Sequence, residues 1–411
     1  MNAWPRVGQS RSDTIQLSLR SAVMSVRDSS TRGFNDRLEA LRGIAALWVA
    51  VGHSLIWLSI GAEGAILSKT LFDVHGIQAT VARLIVTVFS GAAAVNIFFV
   101  LSGFVLCRSL ANQSFSIPFY LGFLAKRLFR IVPAFWLSVA LVCLYLVLAF
   151  PGYAVMEGAS GWYNIWYADP LTVGQIVDNA TMQSYMLNPN TWTLGIELLA
   201  SLALPVAAVI IGTSGLAGSG ALLALTFLLA WKYENLGGSL VHFLYMFVLG
   251  AIVSMKAEGS FTRRFFRILV PTSVAMVLAA SAFFPLSHPI LADILVSVGA
   301  ALLIWCIDAG TDHPLFAVLD SKSARFLGRI SYSFYLLHFI ILYAIANMVL
   351  HHAPQLWLAR WPLPIMMIVC LVSIVVALPV SALVFTCVEK PMTQAGRRLA
   401  SHRWLPTKAG S

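Results

Sequence analysis

Stretches of roughly 20 apolar residues, the length that carries an α-helix across the hydrocarbon of a bilayer, recur along almost the whole of this 411-residue chain. Ten can be placed, at 43–61, 84–107, 131–150, 191–211, 219–232, 239–255, 268–285, 290–308, 330–350 and 364–387. The fifth is short, and the small residues from Gly212 to Gly220 set it off from the fourth. Hydrophobic residues make up 59% of the chain and charged ones 11%, against about 25% charged in an ordinary soluble domain. No soluble core absorbs that excess. The expected fold is all-α: a polytopic membrane protein of about ten transmembrane helices, with one membrane domain over 37–391. A basic tail at 1–36 and a short basic tail at 392–411 flank it. The first tail is rich in Ser and Arg and lacks the apolar run of a cleaved signal peptide. It reads as a disordered cytoplasmic tail, or as a transit peptide of similar composition.

A formal net charge of +10 would suit a nucleic-acid partner only if Lys and Arg were gathered on one face among stacking aromatics. Here they sit at the ends of apolar segments, so no nucleic acid is expected. Their distribution instead sets an orientation, because Lys and Arg accumulate in short cytoplasmic loops. With the N-terminus inside, successive inside segments hold 7, 4, 4, 3 and 5 of them, 23 of the 27, leaving Lys69, Arg83, Lys232 and Arg360 outside. Ten spans with both termini cytoplasmic follow. The longest outside loop, 151–190, carries Trp162, Tyr163, Trp166, Tyr167 and Tyr185, as an interfacial belt or as an acceptor surface. Five cysteines without CxxC spacing indicate neither a disulfide framework nor a metal site.

Ionisable groups inside a bilayer are expensive and therefore mark function. His53 lies eleven residues after Arg42, a rise of about 16 Å and a rotation only ~20° past three turns, so the two share one helix face. Arg42 then stands at the cytoplasmic surface and His53 near mid-membrane. A histidine takes a proton from a hydroxyl and returns it to a leaving thiol near neutral pH; the alternative is a buried histidine bonded to a neighbouring helix. Asn96 falls at nearly the same height. Glu197 lies about 8 Å below the outside surface. Ser331, Tyr335 and His338 form an i, i+4, i+7 stripe that suits either catalysis or interhelical hydrogen bonding. Arg127 and Arg130, at i, i+3 beside the membrane surface, match phosphate geometry and also fit plain positive-inside anchoring. No Walker, Rossmann, HExxH or GxSxG motif is present.

Six segments together resemble the acyltransferase 3 family of bacterial membrane proteins, which modify O-antigen, exopolysaccharide or Nod factor. They are RLEALRGIAALWVAVGH (37–53), NIFFVLSGFVL (96–106), RLFRIVPAFW (127–136), TWTLGIELL (191–199), GRISYSFYLLH (328–338) and VEKP (388–391). The resemblance implies that His53 is the essential histidine of the family's Arg, ten residues, His motif, and that Arg127 and Arg130 are its RxxR motif. It also implies that Glu197 is the carboxylate of a segment usually written near WSLSVEEQF. Two departures stand out. Glu39 and Ala40 replace the usual Asp and Gly before the first Arg, and the fourth motif holds one acid where the family often has two.

The implied activity is transfer of an acyl group, acetyl from acetyl-CoA, to a hydroxyl of an extracytoplasmic glycan or lipid-linked sugar in the bacterial inner membrane. No permanently bound cofactor is implied. His53 and Glu197 are the expected catalytic groups, and Arg42, Arg127 and Arg130 the donor-binding cations. Glu39, Asn96, Ser102, Ser331, Tyr335 and His338 are the expected supporting residues. Whether His53 acts as base or as acyl carrier stays open. A flippase using the same polar groups, and an acyltransferase acting on a small metabolite from the cytoplasmic side, are the competing readings. Many relatives carry a further hydrolase-like domain; ending some twenty residues after VEKP, this chain is expected to act directly on its acceptor.

Overall fold

The computed structural model of the chain describes residues 36–60, 66, 68–110, 116–233, 240–256, 263–285 and 290–403. The expected tail at 1–36 therefore lies, apart from Asp36, outside the described residues. Helix α1 occupies 36–54. It is followed by α2 (Ile77–Val88), α3 (Gly91–Leu110), α4 (Ile117–Leu148), the one-turn α5 (Gly161–Asn164) and α6 (Val173–Ala180). Next come α7 (Trp192–Thr213), α8 (Gly215–Lys232), α9 (Leu240–Lys256), α10 (Arg263–Phe283) and α11 (Ile290–Asp308). The last third holds α12 (Ala317–Asp320), α13 (Lys322–His352), α14 (Gln355–Arg360), α15 (Pro362–Val384), a π-helical turn (Phe385–Glu389) and α16 (Lys390–Arg403).

Among the described residues, eight helical stretches are long and apolar enough to cross a membrane, and α9 is a shorter apolar helix. With α1, whose first turns carry charge, every one of the ten predicted segments contains a helix, and no named strand occurs among the described residues. The chain is an all-α multi-pass membrane protein.

Several boundaries differ from expectation, each for a local reason. The first helix runs 36–54 instead of 43–61, so His53 occupies its final turn. Beyond it Leu55, Trp57 and Leu58 are buried without being helical. The segment Gly158–Ser160 covers them, with Ser59 N–H donating to the Gly158 carbonyl and Ser160 N–H to that of Trp57, both at 2.9 Å. Helix α4 begins at Ile117 rather than 131, because Ser116 caps it by accepting from Phe119 N–H and Pro118 occupies its first turn. Arg127 and Arg130 thus stand roughly 15–20 Å along the helix instead of at its start. The expected C-terminal tail is helical as far as Arg403. There α16 packs on α4 so closely that a Cβ on Gly396 would press on the Phe129 side chain.

Two crossings made by glycine set the helix arrangement. A Cβ on Gly43 of α1 would collide with the Gly328 backbone of α13, and one on Gly328 with the Glu39 carbonyl. Gly103 of α3 and Gly250 of α9 are in the same position against Phe247 and Val100. In lipid, where apolar burial gives no drive between helices, such small-residue contacts bring backbones together. The first crossing lays the face of α1 that carries Arg42 and His53 against α13. At its edge Arg37 donates to both Asp320 oxygens, at 2.8 and 2.7 Å. That fork holds the Asp320 carboxyl below the usual carboxylate range.

Candidate functional site

Helices α1, α3, α4, α7 and α13 enclose a cavity whose polar lining is Arg42, Ser102, Arg127, Arg130, Thr193, Glu197, Ser331, Tyr332 and Tyr335. Arg127 and Arg130 face it together, as their i, i+3 spacing predicts, and Arg42 joins them from α1. The three guanidinium groups are not equivalent. Arg127 Nη2 donates to Glu197 Oε1 at 2.7 Å and its Nε to Ser201 Oγ at 3.2 Å, while Ser102 Oγ donates to the same Glu197 oxygen at 3.0 Å. Arg42 and Arg130 have neither hydrogen bond nor ion pair with any described residue. One carboxylate thus faces three guanidinium groups, and the lining carries an excess of two positive charges. Guanidinium groups have the planar fork that matches phosphate and carboxylate oxygens.

His53 stands outside this lining. Its Nδ1 is 3.2 Å from Nε2 of His338, whose own Nδ1 is 3.2 Å from the Phe334 carbonyl. The two rings lie 5.4 Å apart at 26°, the geometry of an edge-to-edge N–H···N bond rather than of face stacking. Trp162 closes over His53 at 5.2 Å, and Phe339 meets it edge-on at 6.3 Å. Four of the five loop aromatics thus pack inward, while Tyr185 is exposed. Tyr163 stacks on Tyr343 at 4.6 Å, and Trp166 and Tyr167 are buried with it. Between the cavity and the histidines stands Tyr335, its ring 5.9 Å from His338 and its hydroxyl 3.0 Å from that of Thr193.

Two expected members lie elsewhere. Asn96, predicted level with His53, donates instead to Asp293 Oδ1 at 2.8 Å, and Asp293 Oδ2 is 3.2 Å from His242 Nε2. This is a second buried cluster, on α3, α9 and α11; a height along one helix says nothing of the direction in which its neighbours lie. Glu39 is exposed and acts on Arg42 only through its charge.

Other contributors escaped the sequence reading. Asn188 and Asn190 are fully buried, and their amides donate to the Leu336 and Tyr335 carbonyls, each at 2.9 Å. They wedge the segment before α7 against α13 and so fix Thr193 beside Tyr335. The signal was two asparagines around a proline in apolar surroundings, a turn-forming pattern too polar for that place. Glu389, in VEKP, accepts from Ser333 Oγ at 2.6 Å and acts through its charge on Arg130. A π-helical turn presents it, a rare geometry common at functional sites.

An all-helical membrane protein with an arginine-lined cavity beside a pair of hydrogen-bonded histidines has the parts of a group-transfer enzyme. The chain belongs to the acyltransferase 3 family, whose model, described as an acyltransferase domain, matches residues 35–382. It is an acyltransferase. No curated protein and no solved structure matches it.

Proposed function

We propose that this protein moves an acyl group, acetyl in the simplest case, from cytoplasmic acyl-CoA to a hydroxyl of a glycan or lipid-linked sugar on the far side of a bacterial inner membrane. The observation that carries the donor is the pair Arg42 and Arg130, guanidinium groups in one cavity that have no hydrogen-bond or ion-pair partner among the described residues. The phosphates of coenzyme A would neutralise the two excess charges. Arg127 has a different task, holding Glu197 in place. The thioester end of a donor seated there meets Tyr335 and Thr193 before it reaches His53, so transfer requires those two side chains to part. In the transfer the acceptor oxygen bonds to the thioester carbonyl carbon and the carbon–sulfur bond breaks. The hydroxyl proton passes through His53 to the departing sulfur. A transient acyl-imidazole on His53 would reach the same products in two steps.

Replacing Arg42 and Arg130 together by Gln is expected to weaken acyl-CoA binding while insertion and folding are retained. Lysine in their place recovers only part of the affinity, since a point charge lacks the planar fork. Unchanged thioester affinity in the double Gln variant would remove the donor assignment. Sidedness has its own check. Cysteine accessibility in intact cells is expected to place Ser323 and Ser401 inside and Gly161 and His352 outside; labelling of Ser323 and Ser401 from outside would overturn a cytoplasmic donor. The corresponding loop positions Gly64 and Gly259 lie outside the described residues.

A further inference from the structure

We propose that His338 is a positioning residue that fixes His53 in one tautomer, with Nδ1 protonated and Nε2 carrying the free lone pair. The inference rests on the reading of His53 as the reactive histidine. A neutral imidazole has one N–H donor and one acceptor nitrogen. A carbonyl oxygen only accepts, so the 3.2 Å contact between His338 Nδ1 and the Phe334 carbonyl places the His338 hydrogen on Nδ1. Its Nε2 is then an acceptor. The nitrogen 3.2 Å away, His53 Nδ1, must therefore donate, and His53 is left with an unprotonated Nε2.

Both rings are neutral in this arrangement. His338 is 2% exposed, and among the described residues no carboxylate lies within ion-pair distance of either ring. A carboxylate beside a catalytic histidine orients the ring and selects its tautomer. Here a second imidazole, itself anchored by a main-chain carbonyl, performs that task without bringing a charge into the membrane.

Both chemical routes then use one atom. As a base, His53 Nε2 takes the acceptor's hydroxyl proton while Nδ1–H keeps its bond to His338, and the proton leaves on the coenzyme A sulfur. As a carrier, Nε2 bonds to the acyl carbon and the thiolate departs; the acceptor oxygen then bonds to that carbon as the Nε2–carbon bond breaks, its proton ends on the thiolate sulfur, and Nδ1–H keeps its bond to His338 throughout. His338 makes neither bond to substrate. The wrong tautomer would turn an N–H toward the reacting atoms and block both routes.

The test uses the full-length protein in liposomes. His338→Phe fills the space but accepts nothing, and it is expected to lower turnover by ~10² or more, a wrong tautomer at a catalytic histidine being worth ~10⁴, with acyl-CoA binding unchanged. His338→Gln accepts from His53 with its Oε1 and donates to the Phe334 carbonyl with its Nε2, so it is expected to keep most of the turnover. A packing role predicts that Phe is tolerated at least as well as Gln. ¹⁵N-histidine solid-state NMR, with His53 identified by its loss in His53→Gln, reads the tautomer directly even if His338→Phe fails to fold. An unprotonated His53 Nε2 is the expected signal; a protonated one overturns the inference. If His53→Gln is inactive while His338→Phe keeps its turnover, only the role of His338 falls. If His53→Gln itself stays active, the functional reading falls instead.

Discussion

His53→Gln is expected to abolish transfer in a protein that still inserts, folds and binds acyl-CoA. Glutamine fills much of the imidazole's volume and accepts or donates a hydrogen bond, but it neither cycles a proton near neutral pH nor forms an acyl intermediate. Loss of general-base chemistry alone removes ~10²–10⁴-fold. The ring's other contacts, Trp162 at 5.2 Å and Phe339 at 6.3 Å, are apolar and survive the change in part. If His53 only packed the end of α1, alanine would lower yield while glutamine kept activity. Turnover per folded molecule in liposomes, with donor binding measured on the same preparation, separates the two, and near wild-type turnover in a folded His53→Gln variant would end the catalytic assignment.

The second large effect is on stability. Arg127 is buried, and its 2.7 Å bond to Glu197 is the only ion pair among the described residues lining the cavity. Removing Arg127 takes its hydrogen bond from Glu197 and leaves that half-buried carboxylate with only the more distant charges of Arg42 and Arg130, a loss of about 1.5–3 kcal/mol for a hydrogen bond to a charged group. Arg127→Gln is accordingly expected to show a sharp drop in thermal midpoint and yield in detergent. Adding Glu197→Gln removes the carboxylate that lost its Arg127 hydrogen bond and is expected to recover part of that loss without recovering transfer, the remainder reflecting the counter-charge withdrawn from Arg42 and Arg130. If the single variant is as stable as wild type, Arg127 is not the anchor of Glu197, and it joins Arg42 and Arg130 as a donor contact.

Hydropathy made the spans legible because lipid enforces it, and the price of charge in hydrocarbon singled out His53, Glu197 and the paired arginines. The helix starts were harder. Charged residues from Asp36 to Arg42 and from Lys126 to Arg130 depress any hydropathy window, yet their helices run through them because those side chains face a polar cavity or the membrane edge. Residues 55–58 are apolar enough to extend α1, but apolarity does not report helicity, and here the covering loop buries them. The pairing of His53 with His338 joins positions 285 apart in sequence. Nothing local in either motif encodes it; the Gly43–Gly328 crossing does. For Asn96 the reading fixed a depth and no direction, and the side chain turned to Asp293.

A membrane protein whose two faces were joined by a continuous polar path would let ions leak across the bilayer. The arginine cavity ends at the hydrogen-bonded hydroxyls of Thr193 and Tyr335, and the histidines lie behind them under Trp162. One aromatic ring and one hydroxyl pair thus stand between the cavity and the histidines. Under the proposed function an acyl group crosses at the moment those side chains part, whereas a hydrated ion would need a continuous polar path. Under that function, transfer and ion tightness would rest on the same two side chains.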